Sequence, residues 1–202
     1  NRLWVVKSTS TIYEITGWET GDDVQVVKHK SHLCKDNNVE GLGYDPRSNS
    51  LLMACKGDVV KGGDKKNSRA ICRFQLDRKE VQQEPVALVD LEAVRAWLKA
   101  HKSKEEIDEH FEKLFEEDRD EMHFAPSGIA IHPQTGCWYL ISSRGNYLLV
   151  MDERGTILFM KKMPPAIHPQ PEGITFDREG NLYIANEGKK GKRGNILRFD
   201  VK

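Results

Sequence analysis

The sequence predicts an all-β protein built from one repeated antiparallel sheet unit, and three observations carry that prediction. The first is the stretch 171–186, PEGITFDREGNLYIAN, in which two short apolar runs flank the turn DREGN. Asp, Gly and Asn in that turn supply local side-chain bonds and tolerate left-handed backbone angles. A third run, Asn195 to Asp200, then alternates with period two, as a half-buried strand does. The second observation is that this meander recurs: Val39–Pro46, Leu51–Cys55 and Ala70–Phe74 form one copy. Pro126–Pro133, Trp138–Ile141 and Tyr147–Met151 form another. The third is register. Glu40, Ser127 and Glu172 fall at one repeat position, and Gly41, Gly128 and Gly173 at the next. A unit of roughly 40–50 residues with several strands marks the blades of a β-propeller. A lone meander cannot cover its own faces, so the copies must stack.

Each element has a local reason. Leu3–Val6 and Thr11–Ile15 read as the later strands of a first blade, followed by an outer strand at Val24–Val27. The run GITF is apolar enough to suggest a strand buried on both faces. Residues 56–69 form a loop between second and third strands, with five basic and two acidic residues, and Val86–Val89 returns to the sheet. At Asp90 the β pattern stops. Asp90 can cap a helix whose Leu91, Val94, Trp97 and Leu98 share one face. Ser103 and Glu106 have capping-box spacing before a second helix with Ile107, Phe111, Leu114 and Phe115 on one side. Residues 104–121 hold ten acidic against three basic residues. A helical hairpin at 90–120 is therefore inserted between blades of a single 1–202 propeller domain, with Trp97 and Phe111 buried beneath it. It either caps one mouth of the channel or decorates the rim, and a charged helix face favours the rim.

Composition narrows function by exclusion. With 31 basic and 31 acidic residues, no bulk field favours nucleic acid or an anionic membrane. No apolar run approaches the ~18 residues of a transmembrane helix. Cys34, Cys55, Cys72 and Cys137 show no C-x-x-C spacing. Cys55 and Cys72 fall on adjacent strands, either disulfide-linked or packed as small apolar thiols. The segment GKKGKRG is not a phosphate-binding loop, since it lacks G-x-x-x-x-G-K-[ST]. The histidines show no paired metal spacing. Ser127, in P-S-G-I, lacks the G-x-S-x-G elbow and a base partner.

The motifs E-G-[LI]-x-[YF]-D, DPRSNSLLMACK and DREGNLYIANE resemble those of the SdiA-regulated family of bacterial β-propellers. More distantly they resemble the gluconolactonase, strictosidine-synthase and paraoxonase propellers. The resemblance implies five or six blades, one or more of them N-terminal to Asn1. It also implies export: a periplasmic, outer-membrane-anchored or secreted protein. In the gluconolactonase and paraoxonase propellers the matching position supplies oxygens to a central divalent cation. Carried over by position, Glu40 and Glu172 become ligands for calcium, with Ser127 a neutral third. Hard cations choose such oxygens, and no soft ligand set competes.

Loops 7–10, 56–69, 142–146 and 186–194 should surround the same mouth, because each second strand runs back to where the first began. Arg144, Asn186, Glu187, Lys189 and Lys190 would form a ligand rim there, a basic edge above an acidic ring. The expected partner is a small molecule or a protein at this mouth, bound by a monomer. Two function classes follow: a non-catalytic ligand-binding or calcium-stabilised propeller, placed first, and a metal-dependent hydrolase of lactone or phosphate esters, in which a ring carboxylate activates water.

Overall fold

The computed structural model describes residues 1–21, 23–33, 35–57, 67–101, 122–188 and 193–201. The strands expected from the repeats form, and they assemble into four antiparallel sheets. Sheet one runs β1 (Leu3–Val6), β2 (Ile12–Thr16), β3 (Gln25–His29). Its outer strand begins a residue later and reaches farther than Val24–Val27. Sheet two holds β4 (Val39–Asp45), β5 (Ser50–Cys55) and β6 (Ser68–Gln75). Its outer edge is shared by β7 (Glu80–Val81) and β8 (Ala87–Asp90), which both pair with β6. Sheet three is β9 (Ala125–Ile131), β10 (Trp138–Arg144), β11 (Tyr147–Met151) and β12 (Ile157–Lys162). Sheet four is β13 (Pro171–Phe176), β14 (Leu182–Asn186) and β15 (Asn195–Phe199). These are propeller blades: β4, β9 and β13 lie side by side as innermost strands, with β1 against β4.

Burial follows from that arrangement. β9 sits between β4 and β13, and all of it except Ile131 is buried. β13, expected to be covered on both sides, is instead mostly half-buried. Its described packing partners, β9 and β10, meet it from one side. The largest core fills the space between sheets two and three, with Leu52, Ile71, Val89, Phe124, Ile129, Trp138, Leu140 and Tyr147. A second core between sheets one and two contains Ile12, Met53, Cys55, Cys72 and Phe74. Cys55 and Cys72 are free thiols.

The insertion begins as expected. Asp90 Oδ1 accepts from the backbone N–H groups of Glu92 and Ala93 at 2.9 and 3.2 Å, capping α1 (Leu91–His101). α1 lies against β8 and β12, the outer strands of two blades, and drops Val94 and Leu98 into the core between them. That is a rim position. Trp97, expected to be buried, is half-buried: one face packs on the core while the ring stacks on His101 at 4.6 Å. The second helix expected around Phe111 falls outside the described residues. The chain rejoins the described sheets at Met122, whose carbonyl accepts from Nη2 of the wholly buried Arg69 at 2.7 Å.

Candidate ligand cleft and its three bulges

Three blades share one irregularity. In β4 the pairing with β5 steps from Val39↔Cys55 to Gly41↔Ala54, leaving Glu40 without an opposite residue. In β9 it steps from Pro126↔Ser142 to Gly128↔Ile141, leaving out Ser127. In β13 it steps from Pro171↔Asn186 to Gly173↔Ala185, leaving out Glu172. Each is a β-bulge, and a bulge re-aims the side chain of its extra residue. The repeat position read from the sequence is thus the bulge position. All three residues line one cleft of ≈ 350 Å³, with Trp4, Val5 and Val6 from β1 and Leu42, Ile129 and Ile174 as apolar walls.

The three bulged side chains differ in what they are free to do. Glu40 is held by Lys56, whose Nζ lies 3.1 and 3.3 Å from its carboxylate oxygens, and by Asn38 Nδ2 at 3.1 Å. The ion pair is about one-third exposed on the lysine side. Ser127 is buried, and its hydroxyl is engaged: it donates to Pro171 O at 2.7 Å and accepts from Ser143 N–H at 3.2 Å. It therefore ties β9 to β13 and to the end of β10. Glu172 makes no hydrogen bond or ion pair within the described residues, and it is half-buried. Among the described residues no three His, Cys, Asp or Glu side chains group as a metal set.

Of the rim residues, Arg144 and Asn186 stand at the strand ends that carry the bulges, opposite Ala125 and Pro171. Arg144 is exposed at the end of β10. Asn186 is buried, with Nδ2 donating to Asn195 Oδ1 at 2.9 Å, so it braces β14 on β15. Glu187 is exposed beyond it, and Lys189 and Lys190 lie outside the described residues. Next to Asn186, His168 is buried, stacks on Phe199 at 5.9 Å, and is tied through its carbonyl to Asn146. Burial lowers the His168 pKa from its ordinary value, while the neighbouring Asn186 side chain works in the opposite direction.

Sequence reasoning missed two contributors. Lys56 follows directly on β5 and so meets Glu40 at the bulge; the lysine after LLMAC was the available signal. Trp4 also lines the cleft, with Lys79 Nζ 4.5 Å above its ring and His29 packed 5.7 Å from it. Both hold Glu14, which also pairs with Arg2 at 3.1 Å. Nothing local in the sequence announces that cluster.

Bladed sheets around a cleft lined by their innermost strands make this protein a β-propeller. Residues 76–189, more than half of the chain, match the SdiA-regulated family, and the chain belongs to that family. A search of curated proteins returns no match. Solved propeller structures resemble it at the level of fold. A structural-genomics protein of unknown function from Bacteroides thetaiotaomicron VPI-5482 superposes with a TM-score of 0.55 at 13% identity, covering 98% of this chain and 42% of that one. A chain of the nidogen/laminin complex gives 0.53 at 13% identity, covering 96% and 60%. A luciferin-regenerating enzyme gives 0.49 at 13%, covering 95% and 51%. The chain thus spans about half the length of the solved structures it matches.

Proposed function

We propose that this propeller is a binding protein whose ligand enters the cleft between β1, β4, β9 and β13, with a calcium ion at the bulged carboxylates. The observation that carries the reading is the triple bulge, which directs repeat-equivalent residues of three blades into one cleft. Irregularity costs ladder bonds, and its recurrence at one position in three blades is accounted for by a site. Apolar walls with one polar end suit an organic ligand held by a few oriented contacts.

Glu172 is the anchor, because it is the carboxylate with no described protein partner. Calcium prefers six to eight oxygens. Glu172 would hold it first, Glu40 would join by exchanging Lys56, and water would complete the shell. Ser127 would remain structural. The same accounting favours binding over hydrolysis. A hydrolase needs one carboxylate for the metal and another to activate water, and one of the two here already neutralises a lysine.

The test is thermal unfolding with calcium and with chelator. A site filled at ten times its dissociation constant adds about 1.4 kcal/mol, roughly 3–6 °C for a chain of this size. Glu172→Gln should abolish that shift and leave the chelated melting temperature within about 1 °C of wild type. Identical wild-type melts in both conditions would remove calcium from the reading. The proposal also includes an extracytoplasmic location and a monomeric state. Family membership supports the former, and no described helix is long and apolar enough to cross a membrane. Fractionation of the full gene product and sedimentation of the purified chain test these.

A further inference from the structure

Cys55 and Cys72 lie with their sulfurs 3.9 Å apart, both buried in the core between sheets one and two. Cys72 faces Met53, and Ile71 faces Ala54, so Cys55 sits one step farther along the ladder. The two thiols are therefore diagonal neighbours on one face of β5 and β6. Diagonal positions have backbones about 7–8 Å apart, at the upper limit for a disulfide, about 7 Å. The thiols touch, but bonding them requires one strand end to move.

The strand end whose movement would reach the cleft is that of β5. Cys55 lies opposite Val39, where the bulge at Glu40 interrupts the β4–β5 ladder. Lys56, the next residue, carries the ammonium that holds Glu40. The hydrogen bond with Cys72, together with burial, raises the Cys55 pKa and keeps that sulfur a thiol.

We infer that Cys55 and Cys72 form a reversible redox-modification site whose oxidation draws the end of β5 toward β6 and withdraws Lys56 from Glu40. Each thiol loses one hydrogen. One S–S bond replaces two S–H bonds, and two protons and two electrons pass to a two-electron acceptor of the small-molecule disulfide or diazene class. The sulfurs must approach by about 2 Å, and Lys56 is displaced with them. The reduced protein then presents a neutralised Glu40 at the cleft, and the oxidised protein a bare one. The dithiol's chemistry is independent of what the cleft binds.

The experiment treats the native chain with diamide, quenches and denatures it in acid, alkylates residual thiols, and maps the cysteines by mass spectrometry. The expected result is a cross-linked peptide pair containing Cys55 and Cys72, lighter by two hydrogens, restored by dithiothreitol and missing in Cys72→Ala. Free Cys55 and Cys72 after treatment, linkage of either to Cys34, Cys137 or another molecule, or linkage only in unfolded protein would overturn the site. Amide exchange then reads the coupling. The Lys56 and Gly57 amides donate to Asn38 O and Asn37 O, each at 2.9 Å, and should lose protection about tenfold or more on oxidation. Unchanged protection in the cross-linked protein would overturn the link to Glu40.

Discussion

The glycine after each bulge offers the sharpest test of how the blades meet. Gly41, Gly128 and Gly173 occupy equivalent positions, yet an added methyl would meet different surroundings at each. At Gly41 it would fall 2.9 Å from Ala54 Cβ, 3.1 Å from Gly128 C and 3.2 Å from Ile129 N. Two of those neighbours are backbone of the adjacent blade and the third is a Cβ, so none can rotate away. At Gly173 the same methyl meets Ala185 Cβ at 3.2 Å, on the blade whose inner strand is mostly half-buried. Overpacking a rigid site costs about 1–3 kcal/mol. Removing glycine's unfolded-state freedom returns about 0.4–1 kcal/mol. Gly41→Ala should therefore destabilise by about 1–2 kcal/mol, roughly 2–8 °C at 2–4 °C per kcal/mol. Gly173→Ala should stay within about 0.5 kcal/mol of wild type, since the entropic gain offsets a single contact. Urea unfolding of both variants, with m-values compared, separates stability from altered compactness. If Gly41→Ala is as stable as wild type, or the two variants fall equally, the close approach of β4 to β9 does not hold the blades together.

Other outcomes follow from charge and burial. Burial opposes ionisation of Glu14, but the hydrogen bonds of His29 and Lys79 and the charges of Lys79 and Arg2 hold its carboxyl below the ordinary value. That stabilisation is present above the unfolded pKa and lost as pH falls through the folded one. Glu14→Gln should cost about 1 kcal/mol at neutral pH, since Arg2 and Lys79 are solvent-screened, and should flatten the acid limb of the stability curve. His168 shows the opposite chemistry. With its folded pKa held below 6.5, the unfolded chain binds more protons between the two values, so stability should rise with pH across that window. A His168→Gln variant should lose that slope in a melting series from pH 5 to 7. Trp97→Ala should cost about 1–2 kcal/mol rather than the ~3 kcal/mol of a fully packed ring, because its stacking partner His101 is exposed; chemical unfolding decides.

The blades were legible because each strand's period, turn and length agree locally. DREGN closes its turn through Asp177, which accepts from the Asn181 backbone N–H and side-chain Nδ2 at 2.8 Å each. Asp90 was legible as a cap for a similar reason: the cap and the N–H groups it bonds lie within three residues. What depended on neighbours was not legible. Half-burial of β13 follows from which sheet lies beside it, and GITF is as apolar as a fully covered strand. Trp97 has correct helical spacing, yet the stripe does not reveal that α1 rides on the outer strands β8 and β12.

The bulges mark the boundary between the two kinds of information. Alignment of Glu40, Ser127 and Glu172 was visible because the repeat is a statement about sequence. Strict alternation would place each of these residues on the same sheet face as the side chains two positions away. The extra residue breaks that alternation and turns it toward the cleft. The following glycine is the local trace of the distortion, and at Gly41 it also lets β9 approach. Chemistry at that position was less legible than geometry. The same register holds a carboxylate bound to lysine, a hydroxyl stitched between blades and a carboxylate with no described partner. Equivalent position therefore assigned direction, while the second strands and their neighbours assigned role: Lys56 beyond β5 engages Glu40, and Pro171 of β13 engages Ser127. Glu172 has no such partner among the described residues because Asn186 pairs with Pro171 as Cys55 pairs with Val39, so the position of Lys56 is taken by Glu187, a second carboxylate.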